Sequence, residues 1–360
     1  MDLQGQNGLE NTFRQGWRNR SPIGIVIALS LIGFYVALYF TPHLDPVARA
    51  IGLQNRWFLY GALYTLGMSA GAIYYLKRHG NSRYNRLRIA TNVGVQIAFG
   101  FSVPFIMHLA GRKDFYFSYL WPLKFEYLMP DTLADLPLYL SAYCLFGSLI
   151  AVPVLGIVLG KRFYCSWICG CGGLANTFGD PWRHLTATST RSWRFEQVTV
   201  HTVMLVAFAT TVVVFLDFFF GDRFPGFSAS VANLRWGYGL VVSSILAGVV
   251  GTGFYPLFGP RVWCRNFCPM AALLGITQKV GRFRIKVKDD MCISCGNCTT
   301  YCEMGIDVRS YAQNNESFTR AACVGCGMCA HMCPRGVLKL ENVVTPNREK
   351  RRQGLNVVNF

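Results

Sequence analysis

The sequence is poor in the residues that work inside a membrane at a haem or a proton path. Six histidines occur in 360 residues, and none pair at equal depth. His108 lies about 28 Å along a helix from Ile89, near the end of its apolar stretch, whereas His201 opens another stretch from the opposite side. No haem b is therefore expected. Acidic residues are as scarce, 18 against 35 Lys and Arg, and Asp217 alone falls inside an apolar stretch. Proton pumps and ion translocators carry several intramembrane carboxylates, so that class is set aside. Charged residues of both signs make up only 15% of the chain, too few for an ordinary soluble protein of this length.

What is present is apolar: 52% of residues are hydrophobic. Runs at Ile23–Phe40, Trp57–Leu76, Ile89–Ala110, Leu138–Gly160, His201–Phe220 and Tyr238–Phe258 are each long enough to cross a bilayer as a helix. Six spans are expected. The first run exceeds a signal-peptide core and has no small-residue cleavage site before Thr41-Pro42, so it reads as an uncleaved span. The net charge of +17 reflects a basic excess on one side of the spans, and alternate connections are poorer in Lys and Arg. Lys77, Arg78, Arg83, Arg86 and Arg88 crowd one basic connection, and Lys161, Arg162, Arg183, Arg191 and Arg194 another. Such asymmetry sets orientation, with both termini inside, and removes the need for a nucleic-acid partner. The expected organisation is a cytoplasmic segment (1–22, with Arg14, Arg18 and Arg20), a six-helix membrane domain (23–280), a cysteine-rich domain (281–345) and a basic, lipid-touching tail (346–360). The outer connection from Gly111 to Pro137 holds seven aromatic residues, including Phe115, Trp121 and Phe125, and is expected to rest in the headgroup layer.

Thirteen of the 14 cysteines fall in segments placed inside, where thiols stay reduced. Cys144, alone within the fourth span, reads as a small buried apolar residue. Cys292, Cys295, Cys298 and Cys302, then Cys323, Cys326, Cys329 and Cys333 followed by Pro334, form two Cys-x2-Cys-x2-Cys-x3-Cys runs. That spacing wraps three thiolates around one 4Fe-4S cluster, and in two-cluster ferredoxins the last cysteine of each run reaches the other cluster. One cluster is therefore assigned to Cys292, Cys295, Cys298 and Cys333, the other to Cys323, Cys326, Cys329 and Cys302. Neither structural zinc nor a disulfide scaffold needs this doubled period. The segment resembles the two-cluster bacterial ferredoxins over about fifty residues, which implies a small α+β domain. Glu303 departs from the proline that the family carries after the fourth cysteine of a run. A carboxylate beside Cys302 favours the oxidised state, so the lower potential is expected at the Cys323–Cys329 cluster.

A second repeat joins Gly160-Lys161-Arg162-Phe163-Tyr164-Cys165, with Cys169 and Cys171, to Gly259-Pro260-Arg261-Val262-Trp263-Cys264, with Cys268. Two Cys-x3-Cys pairs at the inner ends of spans four and six could give four thiolates to a metal or a further cluster, switch as a thiol pair, or serve structure alone. Cys171 is a substitute for one of the four. Together these features resemble the NapH/NosR-type membrane iron–sulfur proteins from Ile23 to Leu340. Gly170 stands where the motif has proline, and no flavin domain precedes the first span. The resemblance implies a multi-pass protein of the bacterial cytoplasmic membrane that moves electrons between quinol or a cytoplasmic donor and a redox subunit such as a cytochrome or reductase. The basic inner face suits an acidic ferredoxin or flavodoxin. A quinone is placed either near His43, His108 and Asp217 outside or near Arg183, His184 and His201 inside. The alternative is an assembly or redox-regulatory protein for a metalloenzyme.

Overall fold

The computed structural model describes residues 22–343 apart from 113 and 119. The N-terminal segment with its three arginines and the basic tail lie outside the described residues. The helices that matter are α1 (Pro22–Phe40), α2 (Arg56–His79), α3 (Arg83–Leu109), α4 (Leu138–Leu159), α5 (Gly170–Asn176), α6 (Thr190–Phe220), α7 (Gly226–Gly253) and α8 (Pro269–Val280). Among the described residues five of them, α1, α3, α4, α6 and α7, are long and apolar enough to cross a membrane. The 24-residue α2 is less apolar and is not among them. It is well terminated nevertheless. Asn55 Oδ1 accepts from the Trp57 and Phe58 amides at 2.9 and 3.1 Å, and Lys77, Arg78 and His79 sit in the last turn, where the helix dipole favours cations. Helices α6 and α7 begin eleven or twelve residues before the apolar runs that announced them, because polar residues such as Arg191 and Arg235 extend a helix without adding to its hydropathy.

After α4 and again after α7 the chain does not simply leave the bundle. Gly160 (φ 78°, ψ 173°) and Gly259 (φ 90°, ψ 168°) adopt one conformation that residues with a Cβ avoid, and each turns the chain back. The two returns share a backbone hydrogen bond. Cys169 N–H donates to Tyr164 O at 2.7 Å and Cys268 N–H to Trp263 O at 3.0 Å, five residues back in each case. Each second cysteine then caps a helix, α5 or α8. A Cβ at Gly160 would sit 2.6 Å from Phe283 Cβ. Gly160→Ala is therefore expected to cost about 1–3 kcal/mol through backbone strain and this clash. An unchanged melting temperature in detergent would show that α4 and Phe283 do not pack so closely.

The Gly111–Pro137 connection is not an aromatic fringe. Phe115, Leu120, Phe125 and Met129 are buried, Trp121 Nε1 donates to Thr211 Oγ1 at 3.0 Å, and the Trp121 amide donates to Ser148 Oγ at 3.0 Å. Ser148 and Thr211 lie well inside α4 and α6, so the connection folds into the bundle. Irregular backbone at that depth is tolerable because protein side chains there satisfy it. Tyr164, beside Cys165, donates to Ser118 O from the other direction.

Following α8, strand β1 (Phe283–Val287) pairs antiparallel with β2 (Leu338–Asn342), with Ile285 opposite Leu340, and so ties together the two ends of the cysteine-rich domain. Its internal repeat is structural: Gly296 and Gly327, each one residue after a middle cysteine, both have φ 80° and precede one-turn helices. One buried apolar cluster runs without a break from Leu120 and Phe125 through Cys165, Cys169, Cys264 and Cys268 to Phe283, Cys298 and Val324.

Candidate iron–sulfur centre

Cys292, Cys295, Cys298 and Cys333 line one cavity together with Pro334, Val337 and Leu338. This end of the domain meets solvent, with Ile293 58% exposed. The other four cysteines gather on the side facing the helices. Burial, and then the neighbouring Cys326 and Cys323, push the Cys302 thiol up to about 12, and burial also takes Cys323 to about 12. Burial pushes Cys329 well up as well, with Cys326, Cys323, Cys302 and Cys298 adding to it. Crowded thiols that resist ionisation suit a site where iron replaces the protons, so loading releases protons and strengthens as pH rises. Among the described residues no three Cys, His, Asp or Glu side chains converge on a single metal ion.

The Cys-x3-Cys pairs lie deeper than the ends of the spans, where the sequence had placed them. A Cβ at Gly170 would come within 2.7 Å of Tyr64 Oη and 3.0 Å of Gln96 Oε1. Gln96 is the midpoint of α3, about 20 Å of helix from either end. Gln96 Nε2 donates to Ile168 O at 2.6 Å and Asn92 Nδ2 to Cys169 O at 3.3 Å. Glycine in place of proline at 170 thus admits two polar side chains to the backbone between Cys169 and Cys171. Cys165, Cys169, Cys264 and Cys268 are all buried and lie within electrostatic reach of one another, while Cys171 is half-buried and hydrogen-bonds Cys169. At α8 a 12-residue helix ends on Cys268, so amide N–H groups and the helix dipole favour negative charge there. Cys144 is buried within α4, as expected.

Between the two cysteine systems stands a buried charge cluster. Glu303 is fully buried, with Oε1 2.9 Å from Arg261 Nη2 and Oε2 2.7 Å from Arg183 Nη1. Burial acts to raise the Glu303 carboxyl, but Arg183, Arg261 and Arg88 outweigh it and hold it below the usual carboxylate range. Arg261 also donates to Cys165 O at 3.2 Å and contacts Cys264 Sγ at 3.6 Å. Arg183 further pairs with Asp180 at 2.6 Å, and Asp180 with His79 at 3.4 Å. Lys161 Nζ reaches Ala321 O, Ser166 Oγ reaches Val324 O, and Gln278 Nε2 bonds Arg320 O and Cys323 O. These contacts clamp the cysteine-rich domain onto the returns. Glu303 is consequently not a lone carboxylate beside Cys302, since two buried guanidiniums offset its charge.

Three of the residues proposed for a quinone have protein partners. Arg183 is committed to Asp180 and Glu303. His108 pairs with Asp114 at 3.0 Å, and Asp217 accepts from Ser228 at 2.6 Å.

Helices able to cross a membrane, joined to a doubled ferredoxin-type cysteine repeat, define the class: a membrane iron–sulfur protein. Residues 291–338 match the 4Fe-4S dicluster domain family, and residues 142–185 and 239–288, the two returns, match a 4Fe-4S binding domain family. The chain is similar to the putative electron transport protein YccM of Escherichia coli, 27% identical over 46% of this chain and 47% of the relative. It is also similar to an uncharacterized protein of Methanocaldococcus jannaschii, 24% identical over 45% of this chain and 58% of the relative. A third relative is the methylamine utilization ferredoxin-type protein MauN of Paracoccus denitrificans, 24% identical over 45% and 55%. The matched segments span about half the length of these curated relatives. No solved structure matches.

Proposed function

We propose that the chain is a membrane electron-transfer subunit with cysteine sites in series, running from the solvent-facing end of the ferredoxin domain into the helical bundle. The observation that carries this reading is their continuity. Cys292, Cys295, Cys298 and Cys333 form the outermost set, Cys302, Cys323, Cys326 and Cys329 the set against the helices, and Cys165, Cys169, Cys264 and Cys268 the set within them. Clusters held there would supply one-electron exchange. The chain's own residues hold the ligands, exclude water through the shared apolar cluster, and join the second and third sets through Arg261, which touches Glu303 and Cys264. The basic connections support placing the ferredoxin domain at the cytoplasmic face of a bacterial inner membrane through six spans, α2 included. The electron partners are the quinone pool or a soluble acidic donor on one side and a cytochrome or reductase subunit on the other.

The test is anaerobic purification with iron and sulfide analysis, followed by addition of a quinol analogue or reduced ferredoxin. Rapid cluster reduction by either is expected. Clusters inert to both, in a protein that alters the metal content of a partner enzyme, would transfer the reading to assembly or redox regulation. A polypeptide without acid-labile sulfide would end it.

A further inference from the structure

Arg88 is a buried cation with unpartnered donors. It is wholly buried near the start of α3, and its one hydrogen bond goes from Nη2 to Tyr75 Oη at 2.8 Å. Its Nε and Nη1 have no partner. A buried guanidinium with open donors is strongly unfavourable unless something anionic completes it. The surroundings say where that anion belongs. Tyr75 Oη lies 3.1 Å from Met328 Sδ, Tyr75 and Met328 share an apolar cluster with Cys326, and Arg88 and Arg183 flank the Tyr75 ring at 5.6 and 5.7 Å. Glu303 acts electrostatically on Cys326 and is opposed there by Arg183 and Arg88, and Lys161 opposes Glu303 at Cys323.

Four cations, Arg88, Lys161, Arg183 and Arg261, are buried here against two carboxylates, Asp180 and Glu303, leaving an excess of two positive charges. A 4Fe-4S core on four thiolates is anionic in both oxidation states and more so when reduced. The excess therefore neutralises the group and favours its reduced form. The cavity of the solvent-facing set is also lined by two cations, Arg309 and Arg335, but Arg309 is only half-buried and Arg335 is exposed, so water screens them.

We propose that Arg88 is a positioning residue that completes a cationic cage around the cluster held by Cys302, Cys323, Cys326 and Cys329, and raises its potential above that of the solvent-facing cluster. The inference rests on the proposed assignment of these cysteines. It gives the series a direction: an electron entering at the exposed end moves downhill toward the bundle.

The test is a potentiometric titration of the full chain in detergent, followed by electron paramagnetic resonance, for Arg88→Met, Arg88→Gln and Arg88→Lys. In the wild type the helix-facing cluster should reduce first. Both neutral variants should lower that midpoint, by at least tenfold in the reduced-to-oxidised ratio at fixed ambient potential, or about 59 mV for one electron. The solvent-facing midpoint should stay, and Arg88→Lys should restore most of the shift. Equal shifts of both midpoints, no shift, or loss of the helix-facing cluster in the Lys variant as well would overturn the proposal. A wild type with no cluster signals would instead overturn the ligand assignment beneath it.

Discussion

Glu303→Gln is expected to loosen the ferredoxin domain from the helices, at a cost of about 3–5 kcal/mol. The carboxylate bridges two fully buried guanidiniums that come from separate returns of the chain, and a neutral amide leaves Arg261 without a counter-charge and Arg183 with Asp180 alone. Limited proteolysis between α8 and β1, or a lower melting temperature, reads the effect directly. Wild-type resistance in the variant would mean that the apolar contacts alone hold the domain. The same pair predicts acid behaviour. Because the folded carboxyl is held below its ordinary range, the stabilisation is fully present above the unfolded value near 4.3 and is lost only as pH falls through the depressed folded value. Any cluster that stays bound in Glu303→Gln should have a raised midpoint, since one negative charge beside Cys302 has gone.

Exchange of the two fourth cysteines tests the ligand sets. Cys302→Ser should disturb the cluster of the later run and Cys333→Ser that of the earlier run, each removing up to about four irons per chain. Cys302 is crowded by Cys326 and Cys323, and Cys333 lines the cavity of Cys292, Cys295 and Cys298, so each effect should appear in the other half of the repeat. Losses confined to the mutated run would show that each run serves its own cluster.

The cysteine spacing made both ferredoxin repeats legible, and the Gly-x-Arg-x-aromatic-Cys pattern identified Gly160 and Gly259 as equivalent before their shared conformation was seen. What hydropathy could not convey was depth. A segment such as 161–176 that folds back between helices is neither long nor uniformly apolar, so its cysteines read as a surface feature. Charge was legible only in part for a similar reason. Arg88, Lys161 and Arg183 counted toward orientation, yet each is buried, and Lys161 and Arg183 find Ala321 and Glu303 far along the chain. Pairing over such separations leaves no local signal. The aromatic connection failed likewise, because Trp121 finds Thr211 ninety residues later.

The buried charge cluster also bears on how the protein is made. Synthesis delivers Arg88 and Arg261 before Glu303 exists, so these cations wait for their shared counter-charge until the cysteine-rich domain follows. Biogenesis is thereby ordered: insertion first, closure by the late carboxylate second, with cofactor delivery to the innermost thiols favoured while that closure is still incomplete.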